Sequence, residues 1–368
     1  MTKRLKKQLE TPYEFLRRKD GAEYSPEIIK NWYIARTYVL DRLKDVAFGR
    51  NANRRLHVAI TSDSDLMLSV ARQVALSAHY INYDENDLVK KNNRTLITVV
   101  SSDNNIVDKL EREEFLCNLP KYCKLSLEGV MQNKESYIDI EIQVLKEWNT
   151  SDDECIVMTE KDVEEFCKSK THDEIYSIDT RKAVLTGRVY TLGTDFKNLS
   201  AEDIYSAKRY TQSLNAFQYY ILEEKIEPMM KAKDRQLVVR ENLSNIFCSD
   251  CFETRAKSVA LCGDVDKNVE SVWEDCNEVL SKSEHARWVV EKLVMGYRPM
   301  TRDEHLYDEQ KCLTNLMKQQ YRKFLKSNMQ DPVHIDLCSY NDLRRINPND
   351  MKYDSFLMLA IPKILKKI

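Results

Sequence analysis

The sequence predicts an α/β protein, with a parallel sheet in its first half and a mostly helical region after it. In the first half, short apolar segments alternate with segments of helical spacing, and this alternation is typical of βαβ units. Beyond Ser200 almost every segment has helical character. At 368 residues the chain is long enough for about two domains, each with a core of its own.

Residues 1–50 are predicted to be polar and helical. Ser25, followed by Pro26 and Glu27, is typical of a helix start, because a serine hydroxyl caps free N–H groups and proline fits the first turn. From Ile28 to Leu43 the apolar side chains then recur at helical spacing.

The predicted strands are short and apolar, and helices follow the first three of them. The strands are Leu56–Ile60, Leu96–Val100 and Cys155–Met158, with further candidates at Ala183–Leu185 and Val189–Leu192. The helices after the first three are predicted at Leu66–His79, Ile106–Leu116 and Lys161–Cys167. A parallel sheet follows from this order, because each helix carries the chain back to start the next strand.

The domain organisation follows from the change of character along the chain. A long helix is predicted from Ala201 to Ile226, with Ser200 as its cap. The predicted parts are an N-terminal helical segment (1–50), a sheet domain (51–235), a helical connector (236–270) and a C-terminal domain (271–368).

The first strand, turn and helix have the layout of a dinucleotide-binding site, in which a helix N-terminus receives the pyrophosphate. The segment Ala71–Leu76 resembles the first helix of bacterial potassium-regulator-like Rossmann domains. This resemblance places the three usual glycines at Ser62, Ser64 and Met67. It also places Asp103 where that family has its ribose-binding acid.

Two interpretations of this segment remain open. Asp63 and Asp65 carry negative charge beside the expected pyrophosphate, and Met67 is large where glycine lets helix and strand approach. One interpretation is a degenerate Rossmann-like scaffold without dinucleotide, in which Asp63 or Ser62 is only a helix cap. The other is a modified nucleotide site, in which the hydroxyls of Ser62 and Ser64 replace some backbone contacts.

The segment Ser283–Arg298 is predicted to be a helix that ends in a glycine cap at Gly296. Four side chains share one face of this helix, because their spacings are three, four and three residues: His285, Trp288, Lys292 and Met295. An imidazole, an indole and an ammonium group on one face are unusual for a plain core stripe.

This helix resembles the start of the repeat domain first named from ryanodine receptors, which has a His, a Trp three residues later, a Lys four further on, and then Gly with an aromatic residue. His334–Leu337 and Tyr340–Leu343 are similar to the second half of the repeat, and Lys352 begins its closing helix. The resemblance covers about 270–366. A charged, helix-prone insert, Thr301–Val333, lies between the halves.

The order of the whole chain also resembles bacterial proteins that place a potassium-regulator-like Rossmann domain before such a repeat. The resemblance implies a non-catalytic, cytoplasmic ligand sensor in bacterial signalling or phage defence, whose repeat binds a nucleotide or nucleotide-derived signal. The ligand residues it implies are His285, Trp288, Lys292, Tyr297, Arg298, His334 and Tyr340. Aromatic rings stack on a base, and Lys or Arg pairs with phosphate.

Other interpretations stay open beside this one. The same aromatic residues fit the core of a small helical domain, in which both histidines are buried hydrogen-bonding groups. A second alternative is an NAD(P)-dependent enzyme that uses Ser62, Ser64 and Asp103. A third is a pure protein-interaction module, with the insert Thr301–Val333 as its docking element. An exposed apolar face on the insert would favour this interpretation. The sequence of the insert shows mostly charge.

Composition narrows the functional classes. Lys and Arg (57) nearly balance Asp and Glu (59), so we expect no nucleic-acid partner. The sequence contains no run of about 18 apolar residues, so we expect no membrane span.

The ten scattered cysteines predict reduced cytoplasmic thiols. Cys248 and Cys251 have the spacing of a metal knuckle without a second close pair, so we predict no metal, and no catalytic residues are assigned.

Overall fold

An open sheet organises the first half of the protein in the computed structural model. The structure describes residues 11–133, 136–148, 154–179, 181–183, 186, 243–263 and 269–366. Within these residues six strands form one sheet. They are β1 (His57–Ile60), β2 (Thr95–Val100), β3 (Lys124–Leu127), β4 (Val130–Asn133), β5 (Ile140–Leu145) and β6 (Cys155–Met158).

The strand order is β4-β3-β5-β2-β1-β6. Strands β3, β5, β2, β1 and β6 are parallel to their neighbours, and only β4 pairs in the antiparallel sense, with β3. The order reverses at β1, which lies between β2 and β6, as in doubly wound α/β folds. The predicted α/β fold is therefore confirmed, and so are the first three predicted strands.

Helices cover the sheet and form most of the rest of the described structure. They are α1 (Pro26–Leu43), α2 (Asp65–Ser77), α3 (Ile106–Leu110), α4 (Leu119–Tyr122), α5 (Glu160–Lys168), α6 (His172–Tyr176), α7 (Phe252–Ala260), α8 (Val269–Val294), α9 (Arg302–Gln310), α10 (Asn315–Lys326), α11 (Tyr340–Ile346) and α12 (Met351–Leu365). Short 3-10 helices span Pro12–Phe15 and Lys90–Asn92, and residues 243–250 are also helical. In the part of the chain that the structure describes, no helix is both long and apolar enough to cross a membrane.

The predicted helix at Ile106–Leu116 is wrong in its second half, because α3 ends at Leu110. Phe115 and Leu116 are completely buried beyond that end. The carbonyl of Glu114 accepts the indole N–H of Trp32 at 2.9 Å instead of a helical N–H. Packing against α1 therefore overrides the local helical pattern.

The strand predicted at Ala183–Leu185 is also wrong where the structure describes it. Residues 181–183 are helical, and the hydroxyl of Thr186 donates to the carbonyl of Lys182, four residues back, at 2.9 Å. Alanine favours a helix, which explains the outcome at Ala183. The strand predicted at Val189–Leu192 and the helix predicted at Ala201–Ile226 lie outside the described residues.

The long helix α8 joins the sheet to the C-terminal helices. Val290 and Leu293, near its C-terminal end, belong to the same buried apolar cluster as Val58 of β1 and Ile97 of β2. The first half of α8 packs with α7 and α12 in a second apolar cluster. Both ends of α8 are thus anchored in apolar cores.

The predicted glycine cap is confirmed at the end of α8. Gly296 has φ +87°, and the N–H of Tyr297 donates to the carbonyl of Lys292 at 2.9 Å, which is the bond of a Schellman cap. The predicted helical insert is confirmed as well, since α9 and α10 span most of it. Its ends meet where Arg298 pairs with Val333 in a short parallel bridge.

Candidate functional site

The residues predicted for a dinucleotide lie at the carboxyl ends of β1 and β2. Ser64 caps α2, because its Oγ accepts the N–H of Met67 at 3.4 Å. The Oγ of Ser62 accepts the N–H of Ser64 and donates to a carboxylate oxygen of Glu160, both at 3.2 Å. Both hydroxyls are therefore used inside the loop.

Carboxylates surround this position. Asp63 accepts a hydrogen bond from Ser101 at 2.7 Å, and Lys109 Nζ lies 3.3 Å from Asp63 and 2.9 Å from Asp103. The Ser101 hydrogen bond lowers the pKa of Asp63, and the backbone N–H of Asn105 lowers that of Asp103. Two ionised carboxylates thus share one lysine where a pyrophosphate needs hydrogen-bond donors.

Five of the seven predicted ligand residues form one cluster of rings. The rings of Trp288 and His334 are nearly perpendicular, with centroids 4.9 Å apart, and His285 stacks on Trp288 at 6.1 Å. Tyr340 contacts His285 edge to face at 5.7 Å, and Tyr297 contacts His334 at 6.3 Å. The structure brings these five residues together, and they pack largely on one another.

The two predicted phosphate ligands have partners within the chain. Lys292 Nζ lies 2.7 Å from a carboxylate oxygen of Glu291. Arg298 lies 2.8 Å from Glu304 and also 2.8 Å from Asp331. A phosphate at either cation would have to displace a carboxylate.

Both imidazoles of the ring cluster are neutral at pH 7. Burial lowers the pKa of His285 to about 4 and that of His334 well below its usual value. The Nε2–H of His285 donates to the carbonyl of Cys338 at 2.9 Å, which assigns its tautomer. Neither ring therefore contributes positive charge towards a phosphate.

A buried network of charges anchors α8. Arg287 lies 2.8 Å from Glu284 and 2.7 Å from Glu291, and Arg255 of α7 lies 2.7 Å from Glu284. Burial alone would raise the pKa of Glu284, but the two guanidinium groups outweigh burial and lower it to about 2. The network fixes the rotation of α8 and with it the residues that face the sheet.

A small cleft with about 30 Å³ of internal space opens between α8 and the segment that follows α2. Four tyrosines, Tyr80, Tyr83, Tyr137 and Tyr340, line it together with Lys282 and His285. We call it the tyrosine cleft. Of the predicted ligand residues, His285 and Tyr340 line it.

Hydrogen bonds hold the tyrosines of the cleft in place. The hydroxyl of Tyr83 donates to the carbonyl of Tyr137 at 3.0 Å, and the hydroxyl of Tyr137 donates to the carbonyl of Leu337 at 3.0 Å. The second bond connects the sheet half to the loop between the insert and α11. The aromatic walls are thus set before any ligand arrives.

Two acidic groups and one lysine supply the charge of the tyrosine cleft. Lys282 Nζ lies 2.9 Å from Asp84, and both side chains are partly exposed. Burial, followed by the charge of nearby Asp84, raises the pKa of Glu85 to about 7. The cleft therefore offers an ammonium group and a carboxyl group that is close to half protonated at neutral pH.

Most cleft residues were missed from the sequence. Tyr80, Tyr83, Asp84 and Glu85 form a short stretch directly after α2, and tyrosines and acids so close together were a signal available in the sequence. Lys282 lies one turn before His285, on a helix that was predicted to begin only at Ser283. Their convergence depends on how α8 packs against the sheet.

No family model, no curated protein and no solved structure matches the chain. The resemblance to ryanodine-receptor-type repeats thus continues to rest on the quoted residues alone. In the described ranges, no group of three or more His, Cys, Asp or Glu side chains is placed to hold a metal ion. Cys248 and Cys251 are buried, and the Cys251 thiol donates to the carbonyl of Phe247 at 3.5 Å.

Proposed function

We propose that the protein is a non-catalytic sensor that binds a nucleotide or nucleotide-derived signal in the tyrosine cleft. The observation that carries the proposal is the convergence of four tyrosines with one lysine and a carboxyl group of raised pKa. The resemblance to nucleotide-associated repeats supports the same ligand class. The ten free thiols support a reducing cytoplasmic location.

The chemistry of the cleft fits a nucleotide. Stacking of a base on an aromatic ring contributes about 1–3 kcal/mol. The carboxyl group of Glu85 donates a hydrogen bond when protonated and accepts one when ionised, so it suits the polar edge of a base. Lys282 supplies the cation for a phosphate, which would replace Asp84 as its partner.

Ligand binding would act on the contact between the sheet and α8. Tyr80, Tyr83 and Tyr137 belong to the sheet half, whereas Lys282 and His285 belong to α8. A ligand that touches both sides favours one arrangement of them, and a partner protein would read that arrangement. The only imidazole in the lining, His285, is bonded to a backbone carbonyl, which favours binding over proton transfer.

Thermal melting against mononucleotides, dinucleotides and cyclic oligonucleotides tests this proposal. A ligand at one hundred times its Kd stabilises the folded state by about 2.7 kcal/mol, which raises Tm measurably. We expect Lys282→Met and Tyr83→Leu to remove the shift. Trp288→Leu is the matched control, because Trp288 is in the ring cluster and outside the cleft lining. No shift with any nucleotide would refute the proposal.

The NAD(P)-dependent alternative makes a different prediction in the same experiment. It requires that NAD(P) raises Tm and that Asp103→Ala removes the rise. The carboxylates of Asp63 and Asp103, both ionised around Lys109, weigh against it.

A second candidate function is self-association through the insert. The insert was expected to show mostly charge, yet Leu313, Leu316, Met317 and Phe324 are 81%, 63%, 43% and 69% exposed. Their spacing places them along one stripe of α10 and the turn before it. This is the exposed apolar face that favours a protein-interaction module.

Charge complementarity favours a second copy of the chain as the partner. Helix α9 exposes Asp303 and Glu309, whereas α10 carries Lys318, Lys323 and Lys326. Glu304 and Asp308 of α9 bind Arg298 and Arg322 of the same chain. A twofold pairing would place the acidic helix of each copy against the basic helix of the other.

We expect a dimer in sedimentation velocity that Phe324→Glu dissociates. Leu88→Glu is the control, because Leu88 is 77% exposed elsewhere; a wild-type monomer at all concentrations would refute the pairing.

A further inference from the structure

A second small cavity, with about 20 Å³ of internal space, lies at the C-terminal end of α8. It is bounded by the segment before α1, by α1 and α2, and by the C-terminal turn of α8. Its lining includes Arg17, Lys19, Tyr24, Trp32, Arg72 and Met295. We call it the Arg72 cavity. Met295 is ten residues from His285, which corresponds to about 15 Å along the helix axis.

Arg72 is a buried cation without an anionic partner. Arg72 is 3% exposed. Its guanidinium carbon lies 4.7 Å from the ring centroid of Trp32 and 6.0 Å from that of Phe247. Within the described residues no carboxylate lies within 4.0 Å of it, and its Nε is buried without a hydrogen-bond partner. The aromatic rings and the Tyr13 phenol contact the guanidinium, while its Nε–H lacks an acceptor.

The groups that act electrostatically on Arg72 are neutral. They are the phenols of Tyr13 and Tyr24 and the thiol of Cys117. Burial raises the pKa of Tyr13 and of Cys117, so both stay protonated at pH 7. Burial also lowers the pKa of Arg72, and the hydrogen bond with Tyr13 opposes this effect only in part.

Other buried arginines among the described residues have an anionic partner or a carbonyl acceptor, although Nε of Arg255 also lacks a hydrogen bond. Arg287 is bound by Glu284 and Glu291, and Arg94 donates to the carbonyl of Ile138 at 2.9 Å. A guanidinium that leaves water without a partner destabilises the folded state, which is why buried arginines are paired. Arg72 departs from this rule at the wall of a cavity.

The mouth of the cavity adds positive charge. Across the part of the chain that the structure describes, Lys19 has no carboxylate within 4.0 Å, and its side chain lies against the end of α8. Arg17 also lines the cavity and pairs with exposed Glu23 at 2.7 Å. The one acid in the lining, Glu113, accepts the backbone N–H of Lys19 at 2.8 Å. The balance of charge in the lining is positive.

We propose that the Arg72 cavity binds a small organic oxyanion, in which a carboxylate or phosphate group accepts the N–H groups of Arg72. An arginine fork binds two oxygen atoms of either group at once. Trp32 and Tyr24 contact the apolar part of the ligand, and Lys19 closes the mouth with a second cation. The site is separate from the tyrosine cleft and does not depend on the function proposed for it.

Anion-dependent melting of the full chain tests the proposal, with phenyl phosphate, benzoate and inorganic phosphate as probes at constant ionic strength. We expect the phosphate or the carboxylate probe to raise the Tm of the wild type. The probe that raises Tm shows whether the site prefers a phosphate or a carboxylate group. In Arg72→Met this rise is lost. The ligand-free Tm of Arg72→Met should equal or exceed that of the wild type, because an uncompensated buried charge is removed.

Arg54→Met is the control for the loss of a stacked guanidinium. Arg54 is exposed and lies 5.0 Å from the ring centroid of Phe48, so its replacement should leave the anion response unchanged. Two results would overturn the proposal. One is a wild type that responds to none of the three probes, and the other is an Arg72→Met variant that responds as the wild type does. A lower ligand-free Tm together with a full anion response would mark Arg72 as a structural residue only.

Discussion

At the scale of single residues, the buried charges divide into those that the chain neutralises and those that it leaves for a partner. Glu284 lies between Arg255 and Arg287, and none of the three side chains is more than 1% exposed. Arg72 is equally removed from water and has no such neighbour. The first group stabilises the fold, and the second is available for a ligand.

Replacement of Glu284 by Ala should destabilise the protein by about 3–5 kcal/mol, because it leaves two buried guanidinium groups without their shared carboxylate. Urea unfolding measures this loss. Glu278→Ala is the control, since Glu278 lies on the same helix with its side chain 66% exposed, and we expect a change of about 0.5 kcal/mol or less. Equal effects of the two variants would contradict a buried network.

The titration of Glu85 predicts a pH dependence. Its pKa is about 7 in the folded protein and about 4.3 in the unfolded chain, so the folded state holds the proton more tightly. The associated stability is complete below about pH 4 and is lost as pH rises through 7. We expect Glu85→Gln to gain stability over the wild type across this window.

The measurement for Glu85 is the difference in urea midpoint between Glu85→Gln and the wild type at several pH values. Asp336 has a pKa of about 7 as well, raised by burial and by Asp350, so the difference between variants is needed rather than the wild-type curve alone. A difference that stays constant from pH 4.5 to pH 8 would show that Glu85 titrates normally.

At the scale of elements, the end of α8 depends on a glycine chiefly for its backbone conformation, since the flexible end of Lys19 can move away from an added side chain. Gly296 has φ +87°, and a Cβ atom there would lie 2.9 Å from Cε of Lys19. We expect Gly296→Ala to destabilise the protein by at least the roughly 1–2 kcal/mol that a left-handed conformation costs an alanine. Gly21→Ala is the matched control, because Gly21 has φ +86° and nothing within 4 Å of the added atom.

Urea unfolding gives the loss of unfolding free energy for each variant. The amount by which the loss in Gly296→Ala exceeds the loss in Gly21→Ala measures the steric contact with Lys19. Shortening that side chain by Lys19→Ala should remove the excess in the double variant. An excess that persists in the double variant would place the clash elsewhere.

Prediction of the elements succeeded where the local pattern agrees with the packing. The segments at β1, β2 and β6 are apolar runs, and the cap at Gly296 follows from the identity of the residue. Strand β5 was missed although Ile140, Ile142 and Val144 alternate with polar residues, which is a signal for a strand with one buried face. The end of α3 could not be predicted, because it depends on the bond between Trp32 and Glu114.

At the scale of the whole molecule, the sheet and the C-terminal half of α8 share one apolar cluster. We therefore expect one cooperative unfolding transition for the sheet and this helix, seen at the same urea concentration by far-UV circular dichroism and by tryptophan fluorescence. Leu293→Ala should shift both probes together by about 2–5 kcal/mol, since Leu293 is completely buried. Separate transitions for the two probes would contradict a shared core.

The candidate site was only partly predictable at this scale. Helical spacing placed His285 and Trp288 on one face, whereas Tyr297, His334 and Tyr340 were named only through the resemblance to the repeat. It did not show that Lys292 and Arg298 have carboxylate partners, since Glu304 and Asp331 approach Arg298 only when the insert folds back. It also did not show that His285 and Tyr340 border a cleft.

The amino-acid sequence alone is enough to predict the α/β class, the first strands and the helix caps, because these depend on periodicity and on residue identity over short distances. Only the tertiary structure decided where ligands have room. Tyr83, Tyr137 and Lys282 are far apart in the chain and meet because α8 packs against the sheet. Arg72 looks like one more polar residue of a helix in the sequence, and only burial without a counter-charge reveals it as a candidate anion site.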